Sequence, residues 1–134
     1  MIPKFLLDTH IVVHWLTQPK KLSRDQTRVL REAVRRSEPL AISAITLLEI
    51  ALLFGRGSTR SKMPVGDLLS EIESNPILQI VPLTADIAAE VAALGRSLPD
   101  PADRTIVATA RVRNLRLLTS DQRIIASSVV PVVA

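Results

Sequence analysis

Phe5-Leu6-Leu7-Asp8-Thr9-His10-Ile11-Val12-Val13-His14-Trp15-Leu16 reads as a short apolar strand, an acid, and then a helix. The run Phe5–Leu7 is too brief for a helix, while the apolar positions after Thr9 recur at helical spacing. Working outward, the same order returns. The run Leu40–Ser43 leads into a helix over Ala44–Phe54, and Arg116–Thr119 leads into one over Asp121–Ala126. Two more strand-like runs are Gln79–Leu83 and Val129–Val133, and further helical patterns cover Arg24–Ser37, Val65–Ser74, Ala85–Leu98 and Pro101–Asn114. Strands alternating with helices predict βαβ units, with short apolar strands buried between two helix layers. The fold expected is α/β, a three-layer α/β/α arrangement around a central, mostly parallel five-stranded sheet. The 134 residues suit one domain over 1–134.

Composition narrows the function. There is no cysteine, which excludes disulfides and thiolate metal sites. Asp8 interrupts the N-terminal apolar run too early for a signal-peptide core, and the apolar stretch Ile45–Phe54 is too short for a bilayer and carries Glu49. The expectation is a cytoplasmic protein with no membrane partner. Aromatics are few (Phe5, Trp15 and Phe54), so base-stacking platforms would be hard to build.

Four acids fall where such a sheet gathers residues at one edge. Asp8 and Asp121 follow strand-like runs, Glu49 lies in an apolar helix leaving Leu40–Ser43, and Asp103 lies in the first turn of the helix started by Pro101. In open parallel sheets, ligands bind outside the carboxyl ends of the strands. Each acid has a plainer role available. Asp8 could cap its helix, Asp103 and Asp121 would favour a helix dipole, and Glu49 could share a narrow exposed stripe with Thr46. Those roles explain four acids separately and leave their shared edge unexplained. Crowded carboxylates repel unless a cation lies between them, and hard oxygen ligands suit Mg²⁺ or Mn²⁺. His10 and His14, one helical turn apart, lack a third ligand of matching type and read as structural.

The formal charge is +4, with 17 Lys and Arg against 13 acids. If four acids serve an ion, the rest of the surface is more basic than that figure and favours polyanions. Arg24, Arg28, Arg31 and Arg35 form one stripe of the helix Arg24–Ser37, opposite Val29, Leu30, Ala33 and Val34, with Ser23 as N-cap. Arg56, Arg60 and Lys62 lie in a Gly/Ser-rich segment after Gly55 and suggest a basic flap. Both are candidate RNA contacts. Arg104, beside Asp103, could orient an acid or contact a phosphate. Trp15 reads as core or interface.

The chain resembles the PIN-domain family, most closely its VapC-type ribonuclease toxins. Phe5-Leu6-Leu7-Asp8-Thr9-His10 is similar to the family's first motif, Asp100-Pro101-Ala102-Asp103-Arg104-Thr105-Ile106-Val107-Ala108-Thr109-Ala110 to its third, and Leu117-Leu118-Thr119-Ser120-Asp121 to its fourth. The segment Ser43–Ile50 with Glu49 is the less distinctive second. The resemblance implies a Mg²⁺- or Mn²⁺-dependent endoribonuclease that leaves 5′-phosphate and 3′-hydroxyl ends. It implies Asp8, Glu49, Asp103 and Asp121 as catalytic acids, with Asp8, Asp103 and Asp121 on the metal and Thr9 and Thr119 in support. It also implies a homodimer and a cognate VapB-type antitoxin. A non-catalytic RNA- or protein-binding module on the same fold is the alternative. An Asp-x-Asp phosphohydrolase is disfavoured, because His10 stands two residues after Asp8.

Overall fold

The computed structural model describes residues 1–55 and 63–134. Five strands, β1 (Phe5–Leu7), β2 (Leu40–Ser43), β3 (Leu78–Val81), β4 (Arg116–Leu118) and β5 (Val132–Val133), form one sheet in the order β3-β2-β1-β4-β5. Every pairing is parallel. The order changes direction beside β1, so the crevice at the carboxyl ends of β1 and β4 is the natural ligand position. Leu7 is in register with both Ile42 and Leu118. The three central strands therefore end level, and Asp8, Ser43 and Thr119 emerge side by side.

Alternation along these strands sorts the core into two halves. Leu7, Ile42 and Leu118 pack on one face against helices α1 (Thr9–Thr17), α2 (Arg24–Arg36), α3 (Ala44–Phe54) and α4 (Val65–Ser74). Leu6, Ala41 and Leu117 pack on the other against α6 (Pro101–Val112) and α7 (Gln122–Ser127). Helix α5 (Ala85–Leu94) packs alongside α6. Leu6, Leu7, Ile42, Leu117 and Leu118 are completely buried, each contributing roughly 1.5–3 kcal/mol of apolar transfer.

The expected three-layer fold is present, with three departures at its margins. Helix α5 ends at Leu94 and not Leu98, because Gly95 turns to φ +60° and starts a short 3-10 turn over Gly95–Ser97. The last strand is only Val132–Val133, since Pro131 supplies a carbonyl to Leu117 but has no N–H for a ladder. Strand β3 is an edge strand, and Gln79 and Ile80 are exposed where a fully buried strand was expected. Among the described residues, no helix is long and apolar enough to cross a membrane.

Candidate metal centre

Asp8 leaves the end of β1 and caps α1. Its Oδ1 accepts the Thr9 N–H at 2.8 Å, and its Oδ2 accepts the Thr119 hydroxyl at 2.7 Å. The capping role and the site role are thus filled by one carboxylate. Burial pushes its pKa up, against the lowering effect of the Thr119 and Thr9 hydrogen bonds.

Thr119 itself is fully buried. Its hydroxyl accepts the Asp121 N–H at 3.0 Å, and Asp121 in turn caps α7 by accepting from Arg123 N at 2.9 Å. Thr9, the first residue of α1, donates its hydroxyl to Glu49 Oε1 at 2.5 Å and lies 3.1 Å from the Thr46 hydroxyl. Thr46 is fully buried, so Glu49 does not sit on an exposed stripe with it, as the spacing allowed. It sits half-buried, aimed at the end of β1.

The carboxylates converge around Asp103. Its pKa is raised from 3.8 to about 7, first by burial and then by the charges of Asp100, Asp8, Asp121 and Glu49. Asp103 therefore feels the other three expected acids. The closest trio is a different one. Among the described residues, only Glu49, Asp100 and Asp103 offer three oxygens within 4.8 Å of one another. These three carboxylates would be the nearest oxygen ligands for a hard divalent cation at this edge. Asp8 and Asp121 stand outside the trio, their carboxylates already engaged by Thr9, Thr119 and the start of α7. An all-carboxylate set whose central member is held partly protonated fits a hard divalent cation.

Three residues at this edge escaped the sequence reading. Asp100 caps α6 by accepting from Ala102 and Asp103 N–H groups at 2.8 and 3.1 Å. Its signal was the Asp-Pro start of that helix. Thr46 is the second. Gln26 is the third, and its signal was the Ser23-x-x-Gln26 capping box, which the structure shows closed.

The remaining candidates scatter. Arg104 turns from the acids toward the Gly95 carbonyl, 3.5 Å from its Nη1, and its buried Nε has no hydrogen-bond partner. Arg28 pairs with Asp25, and Arg35 pairs with Glu32. Arg24 and Arg31 take part in no ion pair among the described residues and face solvent. Opposite them Leu30 and Ala33 are buried as expected, whereas Val34 is 53% exposed. Arg56, Arg60 and Lys62 lie outside the described residues. His10 and His14 stack with ring centroids 6.1 Å apart and join no candidate metal group among the described residues. Trp15, on α1, packs half-buried against the core.

Comparison with known proteins agrees with this geometry. The PIN domain family model matches residues 5–128. The chain is 34% identical to Ribonuclease VapC22 of Mycobacterium tuberculosis over 120 residues, covering 89% of this chain and 88% of that protein. Among solved structures, VapBC2 from Rickettsia felis bound to a promoter DNA fragment is similar at TM-score 0.73 and 19% identity, over 99% of this chain and 98% of that one. FitAcB from Neisseria gonorrhoeae is similar at TM-score 0.70 and 22% identity, over 97% and 96%. The carboxyl-end acids, the parallel sheet and these matches together make the chain a member of the PIN-domain family.

Proposed function

We propose that this protein is a metal-dependent endoribonuclease, the toxin of a VapBC-type toxin–antitoxin pair. The observation that carries the reading is the convergence of Asp8, Glu49, Asp100 and Asp121 on Asp103, which holds its carboxyl at about 7. Asp8, Asp103 and Asp121 would hold Mg²⁺ or Mn²⁺, with Glu49 and Asp100, whose oxygens lie nearest Asp103, beside them.

Such an ion supplies Lewis acidity at the phosphodiester and makes bound water a nucleophile near neutral pH. The protein's own part is placement. Thr119 fixes Asp8 and Asp121 relative to each other, and Thr9 fixes Glu49 against the start of α1. In hydrolysis a water oxygen bonds to phosphorus, the bond from phosphorus to the 3′-oxygen breaks, and that oxygen leaves with a proton. Arg24 and Arg31 on α2 are free to meet the RNA backbone, supported by Arg28 and Arg35 and by Arg56, Arg60 and Lys62 of the basic segment. A VapB-type antitoxin and a second copy of the chain are the protein partners. The exposed Leu48 and Leu52, flanking Glu49 on α3, offer apolar surface to such a partner. A cytoplasmic location follows from an RNA substrate of this kind.

The test is RNA cleavage by the purified, partner-free protein with Mg²⁺ or Mn²⁺, beside an EDTA control and Asp8→Asn. Cleavage that needs the ion and is lost in the variant is expected. One observation favours a second reading: Asp8, Asp100 and Asp121 all serve as helix caps. Retention of RNA without cleavage, indifferent to the metal, would make the protein a binding module.

A further inference from the structure

Gln26 is a fully buried polar side chain 93 residues from its main partner. Its Oε1 accepts the Ser23 N–H at 3.0 Å and closes the capping box of α2. Its Nε2 faces three acceptors, the Thr119 carbonyl at 3.2 Å, the Ser120 hydroxyl oxygen at 3.1 Å and the Val133 carbonyl at 3.3 Å. An amide has two N–H groups for these three, so at least one is shared. The orientation is fixed by chemistry. Flipping the amide would set its oxygen against two carbonyls that only accept, and its nitrogen against an N–H that only donates.

The Thr119–Asp121 segment is thereby held from two sides. The side chain of Thr119 is tied to Asp8 and to the Asp121 N–H, its N–H reaches the Val133 carbonyl at 3.2 Å, and its carbonyl is tied to Gln26. We propose that Gln26 is a positioning residue of the carboxylate site, clamping the end of β4 so that Asp121 and Asp8 keep their spacing for the cation. This rests on reading the site as cation-dependent. Groups that orient metal ligands from behind typically change metal affinity 10–100-fold when removed.

Two variants separate the clamp from the cap. Gln26→Glu keeps an acceptor for Ser23, and Glu is itself favoured at that capping-box position. It removes the donor and sets a carboxylate against two carbonyls. Gln26→Met removes both functions without adding charge, and it decides the question should the Glu variant not fold. Mn²⁺ binding is measured by calorimetry for the parent, both Gln26 variants, Asp103→Asn, and Leu115→Ala as a core control at the opposite end of β4. The expected result is Mn²⁺ affinity about tenfold weaker in both Gln26 variants, with Leu115→Ala like the parent. Parent-like affinity in the folded Gln26 variants would overturn the inference alone, provided Asp103→Asn loses binding. An equal loss in Leu115→Ala would reduce Gln26 to a structural role. A parent that binds no Mn²⁺ would remove the cation-site reading, and this inference with it.

Discussion

Thr119 sits between the two strand-end acids: its hydroxyl donates to Asp8 Oδ2 at 2.7 Å and accepts the Asp121 N–H at 3.0 Å. One hydroxyl thus ties the carboxylate of Asp8 to the backbone of Asp121, two residues that arrive from opposite ends of the chain. Thr119→Val keeps the shape and leaves both partners unsatisfied. It should lower stability by about 1–3 kcal/mol and metal affinity at least tenfold, whereas Thr119→Ser should retain most of both. Denaturant melts and metal titration of the pair check this. Equal behaviour of Val and Ser would show that the hydroxyl is idle.

Asp103 gives the ion-free protein a pH signature. Its folded carboxyl holds a proton up to about 7, while the ordinary value is 3.8. Between those values the folded chain binds more protons than the unfolded one, so stability falls as pH rises through that window. The stabilising contribution is complete below 3.8 and lost by about 7. Asp8, also shifted upward, acts in the same direction. Melting in EDTA at pH 5 and pH 8 should show a larger drop for the parent than for Asp103→Asn. Parallel drops would refute the assignment. Added Mg²⁺ should stabilise the parent more at pH 8, where it no longer competes with the proton.

The helix that carries Asp103 is anchored by Ile106, which is completely buried against Leu6, Ala41 and Leu117 on the α6 side of the sheet. Ile106→Ala should cost about 2–5 kcal/mol, the range for buried Ile or Leu truncation. Chemical denaturation measures it directly. A loss under about 1 kcal/mol would mean that α6 closes over the cavity.

Arginines on α2 should not contribute equally to RNA affinity. Arg24 and Arg31 meet no carboxylate among the described residues, whereas Arg35 is engaged by Glu32. Alanine at Arg24 or Arg31 should weaken RNA binding and lower the salt slope by about one for each phosphate no longer neutralised. Arg35→Ala should change either quantity less. Binding isotherms at several salt concentrations distinguish the three, and an equal effect of all three would point to bulk charge alone.

The local parts of this architecture were legible in the sequence. Apolar runs gave β1 and β2 with their observed limits, capping chemistry placed Asp8 at a helix start, and the helix dipole placed Asp121 at another. The shared edge followed from parallel topology. What could not be read depended on partners remote in sequence. Gln26 looked like half of a capping box, because its other bonds reach 93 to 107 residues away. Asp100 looked like a cap only, since its nearness to Glu49 exists only after α3 and α6 pack. The basic stripe misled in part: helical angle orders the arginines but does not say which of them Asp25 and Glu32 engage.

The order β3-β2-β1-β4-β5 carries a consequence for synthesis. The first strand made is the middle strand of the sheet, and the Asp8–Thr119 bond spans 111 positions. Non-local pairing of this kind forms late in folding. A chain still on the ribosome presents Asp8 without its neighbours until Thr119 and Asp121 have emerged. The carboxylate site is therefore incomplete for nearly the whole time that the chain is being made.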